Sequence, residues 1–165
     1  SAGDGACSRR REERAGTRKR EPVLIEGIGQ SHPSWEFWRR PNMTLSGAKR
    51  SGEMVFKAAE MKPSDMDFFQ IYDCFTIVPI ISLENYGFVK PGEGGDFYLA
   101  GETAIGGSLP TNTSGGLLSE TGMPGTQLVI EAVRQLRGPF RERHVNYCAP
   151  GMGRQQGGTM AHHAA

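Results

Sequence analysis

The chain has 165 residues, enough for one domain with a sizeable core and too few for two large ones. Glycine and proline together supply 33 residues, a loop-rich level that falls short of disorder or a fibrous repeat. The net charge of +1 conceals a split: residues 1–20 carry +4 and the remainder −3. No apolar run approaches the ~18–20 residues that span a bilayer; the longest, Ile77 to Leu83, is interrupted by Pro79 and Ser82. The opening Ser-Ala-Gly-Asp-Gly-Ala has no apolar core of a secretory leader. Three widely spaced cysteines, Cys7, Cys74 and Cys148, exclude a disulfide framework and a Cys-x-x-Cys zinc site. A cytoplasmic location is expected, with no metal site and no membrane contact.

Residues 1–21 form a basic arm with no apolar side chain bulkier than alanine or cysteine, so they cannot join a core and are expected to be disordered. No aromatic ring interleaves with the arginines, so no base-stacking surface is offered and no nucleic acid partner is expected. Order is expected over 22–165. Val23 to Ile28, β-branched and ending near glycine, predicts a strand. Gln30 to Asn42 carries both tryptophans between prolines and predicts a loop. Ser51 to Met61 predicts a helix with Met54, Val55, Ala58 and Met61 on its buried face, stopped by Pro63. Met66 to Asp73 predicts a second strand, and Thr76 to Tyr86 a helix with Pro79 in its first turn and Gly87 as its stop.

The middle of the chain differs in kind. Thr103 to Ser119 holds no charged side chain, yet it contains four glycines, three threonines and an asparagine. That composition suits a loop whose backbone faces a ligand better than it suits a surface loop or a plain core. Val129, Ala132, Val133 and Leu136 then recur at i, i+3, i+4 and i+7 before Gly138, predicting an amphipathic helix. His144 to Cys148 and Gly157 to Ala165 are read as two closing strands. This order of elements implies an α/β fold, a mixed sheet layered with helices.

Three motifs occur in order: Tyr72-Asp73-Cys74-Phe75, Leu109-Pro110-Thr111-Asn112-Thr113-Ser114-Gly115-Gly116, and Glu131-Ala132-Val133-Arg134-Gln135-Leu136-Arg137-Gly138. Together they resemble the C-terminal half of the thiolase superfamily, nearest the sterol-carrier-type thiolases and their lipid-transfer relatives. The resemblance implies a thiolase-like C-terminal domain. It also implies an acyl-CoA substrate, coenzyme A as the only cofactor-like group, a dimer in the complete protein, and a site shared with an N-terminal half or a second protein. The family's nucleophilic cysteine belongs to that other half, and Cys7, Cys74 and Cys148 do not match it. The isolated chain is therefore expected to have no turnover.

Claisen chemistry needs a thiolate, a base, and donors where charge develops on the thioester oxygen. By the resemblance, Tyr72 stands where the family carries an asparagine or histidine. A phenol is ordinarily protonated at pH 7, which makes it a proton donor before it is a base. The family's Gly-His-Pro histidine falls on Gly122 or Met123, neither of which can carry a proton. Gly157, of the Gly157-Gly158 pair, retains a backbone N–H for an oxyanion hole, but no cysteine or histidine precedes it. Asn112, Ser114, Gly115 and Gly116 are expected to line the acyl-thioester. Asp73 is read as a turn residue or helix N-cap ahead of Cys74 to Ile77 rather than as an acid/base group. Two reactions stay open: acyl transfer in lipid or steroid metabolism, and retro-aldol cleavage of β-hydroxyacyl-CoA side chains, for which the resemblance implies a tyrosine at position 72. An inactive remnant that binds CoA or lipid is the third possibility.

Overall fold

A computed structural model describes residues 23–32, 40, 42–119, 126–138, 143–145, 151–153, 155–157 and 162–164. The basic arm, the tryptophans, Cys7, Cys148, Gly122, Met123 and Gly158 lie outside the described residues.

Four α-helices are described, α1 (Ala48–Ala59), α2 (Ile77–Tyr86), α3 (Gly94–Leu99) and α4 (Thr126–Leu136), with a short 3-10 helix at Pro63–Asp65. The strands are β1 (Gln30–Ser31), β2 (Phe69–Gln70), β3 (Met152–Gly153), β4 (Gln155–Gly157) and β5 (His162–Ala164). They form a three-stranded sheet in the order β1-β5-β4, antiparallel throughout, and a parallel pair of β2 with β3. Thr111 adds a further parallel bridge to Phe69. Helices α1 and α4 lie on different strands: α1 packs on β1 and β5, whereas α4 packs on β2 and β3. This is an α/β arrangement.

The core gathers where β2 meets α1 and α2. Phe68, Phe69, Ile71, Val78 and Leu83 are fully buried, each such side chain stabilising the fold by ~1.5–3 kcal/mol relative to exposure. The Phe69 ring stands edge-on to Tyr86 at 5.4 Å and leans on Phe88 at 4.8 Å. The α1–α2 contact is made by small residues. Ala48, Ser51, Gly52 and Val55 form the buried face of α1. A Cβ on Gly52 would lie 2.6 Å from Cδ1 of Tyr86, so only glycine lets that ring approach. The Ser51 hydroxyl and the Tyr86 hydroxyl then hydrogen-bond at 3.2 Å inside the interface.

Several expectations are corrected here. Val23 to Ile28 is not a strand: Leu24, Ile25 and Ile28 are exposed, and the paired segment is Gln30–Ser31, inside the predicted loop. The pairing falls there because Gly29 presses its backbone against Ser51, which leaves the next two residues facing β5. Helix α1 begins three residues before Ser51, and its buried face is the predicted one only in part: Val55 is buried and Met61 packs against the core, but Met54 and Ala58 are exposed. Close packing against Tyr86 selects small residues over long apolar ones. Only Phe69–Gln70 of the predicted strand 66–73 is paired as a strand. Of the predicted strand 157–165, His162–Ala164 is strand (β5), while Gly157 belongs to the antiparallel neighbour β4, opposite His162. Residues 144 and 145, the described part of the predicted strand 144–148, are not strand. Helix α2 ends at Gly87 in the left-handed conformation, as the sequence predicts (φ 81°).

Candidate active site

The site grows from the point where the chain leaves β2. Leu109 to Thr113 runs parallel beside that strand: Phe69 N–H donates to Pro110 C=O at 2.9 Å, and Asn112 N–H donates to Phe69 C=O at 3.0 Å. At Asn112 the backbone turns left-handed (φ 51°) and peels away. Its side chain takes over the ladder, Oδ1 accepting from Ile71 N–H at 2.7 Å. Asparagine tolerates this conformation because its short amide can bond locally.

The loop closes on itself when Gly115 N–H donates to Asn112 C=O at 2.7 Å. Gly115 and Gly116 both have positive φ, 108° and 72°. Beyond them, Leu117 N–H donates to Oδ1 of Asp73 at 2.7 Å, and Leu118 N–H reaches Oδ2 at 3.5 Å. A Cβ on Gly116 would overlap Oδ2 of Asp73 and stand 2.8 Å from Nδ2 of Asn112, so glycine is required both by φ and by space. Asp73 does not cap α2. Its carboxylate is buried against the loop, and Thr76, the residue at the start of α2, makes no side-chain cap.

These anchors bring predicted site residues together. Ile71 and Asp73, the residues on either side of half-buried Tyr72, each hold one end of the segment that carries Asn112, Ser114, Gly115 and Gly116. Ser114 Oγ is buried with no protein partner among the described residues. Gly157 lies at the end of β4 in the other sheet, and no described contact joins it to Tyr72 or to the loop. Gly122 and Met123 fall outside the described residues. Among the described residues no cluster of three or more His, Cys, Asp or Glu side chains could hold a metal, and no helix is long and apolar enough to cross a membrane.

Two features were not foreseen. Tyr98 on α3 packs against the core near Asp73; burial, and then the Asp73 charge, push its phenol up to about 12. The second feature is a buried polar cluster under the loop. Helix α4 buries Leu128, Glu131 and Gln135, while Val129 and Ile130 are nearly half exposed. The expected apolar face is thus displaced. Thr113 Oγ1 receives Gln70 Nε2 at 2.9 Å and donates to Glu131 Oε1 at 2.8 Å. Gln135 Nε2 lies 3.1 Å from Thr113 Oγ1 and 3.0 Å from Glu131 Oε1. Gln135 also pairs with the chain that leads toward β3, through Arg143 C=O at 2.8 Å and Val145 N–H at 3.0 Å. The spacing of Leu128, Glu131 and Gln135, i, i+3 and i+7, is the signal that marks this face in the sequence.

With the loop in place, the comparisons with known proteins define the class. Residues 29–165 match the family described as thiolase C-terminal domain-like, and the chain belongs to that family as a C-terminal domain. It is 34% identical over 142 residues to an acetyl-CoA acetyltransferase of Methanothermobacter thermautotrophicus, covering 84% of this chain and 37% of the relative. It is 35% identical over 130 residues to a 17-hydroxy-3-oxo-4-pregnene-20-carboxyl-CoA lyase of Mycobacterium tuberculosis, covering 76% of this chain and 34% of that protein. A solved Ltp2-ChsH2(DUF35) aldolase superposes with a TM-score of 0.83 at 29% identity, over 92% of this chain and 41% of the other. The chain therefore spans little more than a third of the length of these curated relatives.

Proposed function

We propose that this chain is the C-terminal lobe of an enzyme that makes or breaks a carbon–carbon bond next to an acyl-CoA thioester. The observation that carries this reading is the double anchoring of the uncharged loop, through Asn112 and Asp73, on the residues that flank Tyr72 in sequence; the same loop carries a Ser114 hydroxyl that is buried with no partner among the described residues. Backbone N–H groups and hydroxyls of this kind suit a thioester oxygen that gains charge. Asn112, Ser114, Gly115 and Gly116 would line the acyl-thioester, with Gly122 and Met123 following in sequence and Gly157 offering its N–H from the second sheet. Asn112 would contribute chiefly by shaping the loop, since its Oδ1 is engaged by Ile71. Coenzyme A enters as part of the substrate, and no other cofactor is invoked.

A second lobe must complete the site, either an N-terminal half or a separate protein. Phe75, Ile77 and Leu118, next to the Asp73–loop junction in sequence, are more than half exposed, and so large an apolar content around a polar site suits a covered face. A dimer of the complete protein in the cytoplasm is part of the same reading.

Of the two reactions, retro-aldol cleavage fits these side chains better. It asks for a group that takes the proton of the β-hydroxyl as the Cα–Cβ bond breaks to give a carbonyl product and a thioester enolate, which is then protonated at Cα. Tyr72, as phenolate, would take that proton and, as the phenol so formed, would return it to Cα of the enolate. Acyl transfer in lipid or steroid metabolism is the second reading, favoured by the similarity to the archaeal acetyltransferase. It lacks a histidine at Gly122 or Met123, and a general base is worth ~10²–10⁴-fold.

The test supplies the complementary lobe and compares cleavage of a β-hydroxyacyl-CoA with acetyl exchange on acetyl-CoA. Cleavage that drops at least ~10²-fold in Tyr72→Phe supports the lyase. Exchange that persists in Tyr72→Phe, with no cleavage in either protein, overturns it in favour of the transferase. The chain alone is expected to turn over neither substrate.

A further inference from the structure

Gln70, Thr113, Glu131 and Gln135 are each no more than 6% exposed, and they come from three separate segments: β2, the loop and α4. Burying four polar side chains is costly unless their hydrogen bonds are made. Here the bonds converge on one atom, while Gln70 Oε1 and Glu131 Oε2 have no hydrogen-bond partner among the described residues and Glu131 Oε2 lies 3.9 Å from Arg134 Nη1. The Thr113 hydroxyl has one proton and two lone pairs: the proton goes to Glu131, one lone pair accepts from the Gln70 amide, and Gln135 Nε2, 3.1 Å away, divides its two protons among Thr113, Glu131 and Arg143 C=O. A carboxylate only accepts, so Glu131 dictates which way that proton points. Thr113 stands between left-handed Asn112 and Ser114, whose Oγ has no protein partner among the described residues. Fixing the Thr113 side chain therefore fixes the direction in which both neighbours leave it.

We propose that Glu131 is a positioning residue: through the Thr113 hydroxyl it holds residues 112–116 in the shape that presents Ser114 and the glycine backbone to the substrate. Its importance for turnover rests on the acyl-CoA reading above; its effect on the loop does not. The cluster could instead be a plain cross-link between α4 and the sheet. The two roles differ in where loosening appears. A cross-link, once cut, weakens the whole domain, whereas a positioning device releases the loop first.

Amide exchange of the 165-residue chain, with no CoA ester present, separates them. The reporters are Ile71 N–H, held by Asn112, and Leu117 N–H, held by Asp73; the control is Phe88 N–H, held by Leu83 C=O at the far end of α2. Thr113→Val and Glu131→Leu are expected to speed exchange at Ile71 and Leu117 about tenfold relative to Phe88, the loss of roughly one buried hydrogen bond. Thr113→Ser and Glu131→Gln, which keep an acceptor or hydroxyl in place, are expected to restore protection to within about threefold. Should Glu131→Leu fail to fold, the Thr113 pair carries the same comparison. Equal acceleration at all three amides, or none at Ile71 and Leu117, overturns the positioning role. Failure of the cleavage and exchange assays with the second lobe would overturn the acyl-CoA reading and leave this result standing.

Discussion

Two of the helix contacts in this domain are built from opposite materials. Helix α1 meets α2 through alanine, serine, glycine and valine, and the fit is one of shape: Gly52 receives the Tyr86 ring, which in turn stands against Phe69. Helix α4 meets β2 and the loop through Glu131, Gln135, Thr113 and Gln70, and the fit is one of hydrogen-bond direction. Shape packing tolerates sliding, because dispersion contacts are many and individually weak. A converging hydrogen-bonded cluster does not, because each misplaced atom leaves a buried partner unpaired. The domain thus places its directional packing under the candidate site and its adaptable packing away from it.

The contrast can be broken first at glycine, since each side relies on one. Gly116→Ala meets both a left-handed backbone and the Asp73 carboxylate held by Leu117. A cost of about 3 kcal/mol is expected from backbone strain plus overpacking, read as a shift in the midpoint of a urea melt. Asp73→Ala removes a buried, charged acceptor and should cost about 2 kcal/mol, with the loop amides of Leu117 and Leu118 losing protection before those of α1. Gly52→Ala drives a Cβ toward the Tyr86 ring, 2.6 Å from Cδ1. The helix gains ~1 kcal/mol in propensity by the same change, and the ring can shift, so a net loss of only about 1 kcal/mol is expected. A loss at Gly52 equal to that at Gly116 would erase the distinction between the two contacts. Tyr86→Phe, which leaves the ring and removes the bond to Ser51, should cost slightly less, about 0.5–1 kcal/mol.

The same contrast explains what could be read from the chain. Helix α2 was legible to its last residue because Gly87 is a local signal: its left-handed cap is decided within one turn. The uncharged stretch 103–119 stands out by composition from a plain surface loop, and the family could be recognised by motifs 72–75, 109–116 and 131–138. The buried faces of α1 and α4 could be read by hydrophobicity only in part, Val55 and Met61 being the residues so found. In α1 the decisive property is smallness at Ser51 and Gly52; in α4 it is the partner waiting at Thr113, eighteen residues earlier in the chain. Apolar periodicity pointed to Val129 and Met54, which are exposed. β1 escaped notice for a related reason: two residues become a strand only because β5, more than 130 positions later, pairs with them. Residues whose roles come from a distant partner leave no local pattern.

The smallest effect tests the electrostatics of the site region. The Tyr98 phenol is pushed up to about 12, first by burial and then by the Asp73 carboxylate, from an ordinary value of 10.0. A raised value means that the folded chain keeps its proton where the unfolded chain has lost it. Between pH 10 and about 12 the unfolded state therefore binds fewer protons, and stability falls as pH rises; below 10 Tyr98 adds no slope. Urea melts across this range should show a steeper alkaline loss in the parent chain than in Tyr98→Phe, the difference isolating this residue from the other tyrosines. Asp73→Asn should remove less of that slope than Tyr98→Phe, because desolvation is the larger cause. If Asp73→Asn removed all of it, the Asp73 charge and not burial would govern Tyr98, and α3 would belong to the hydrogen-bond-directed half of the domain rather than to its shape-packed half.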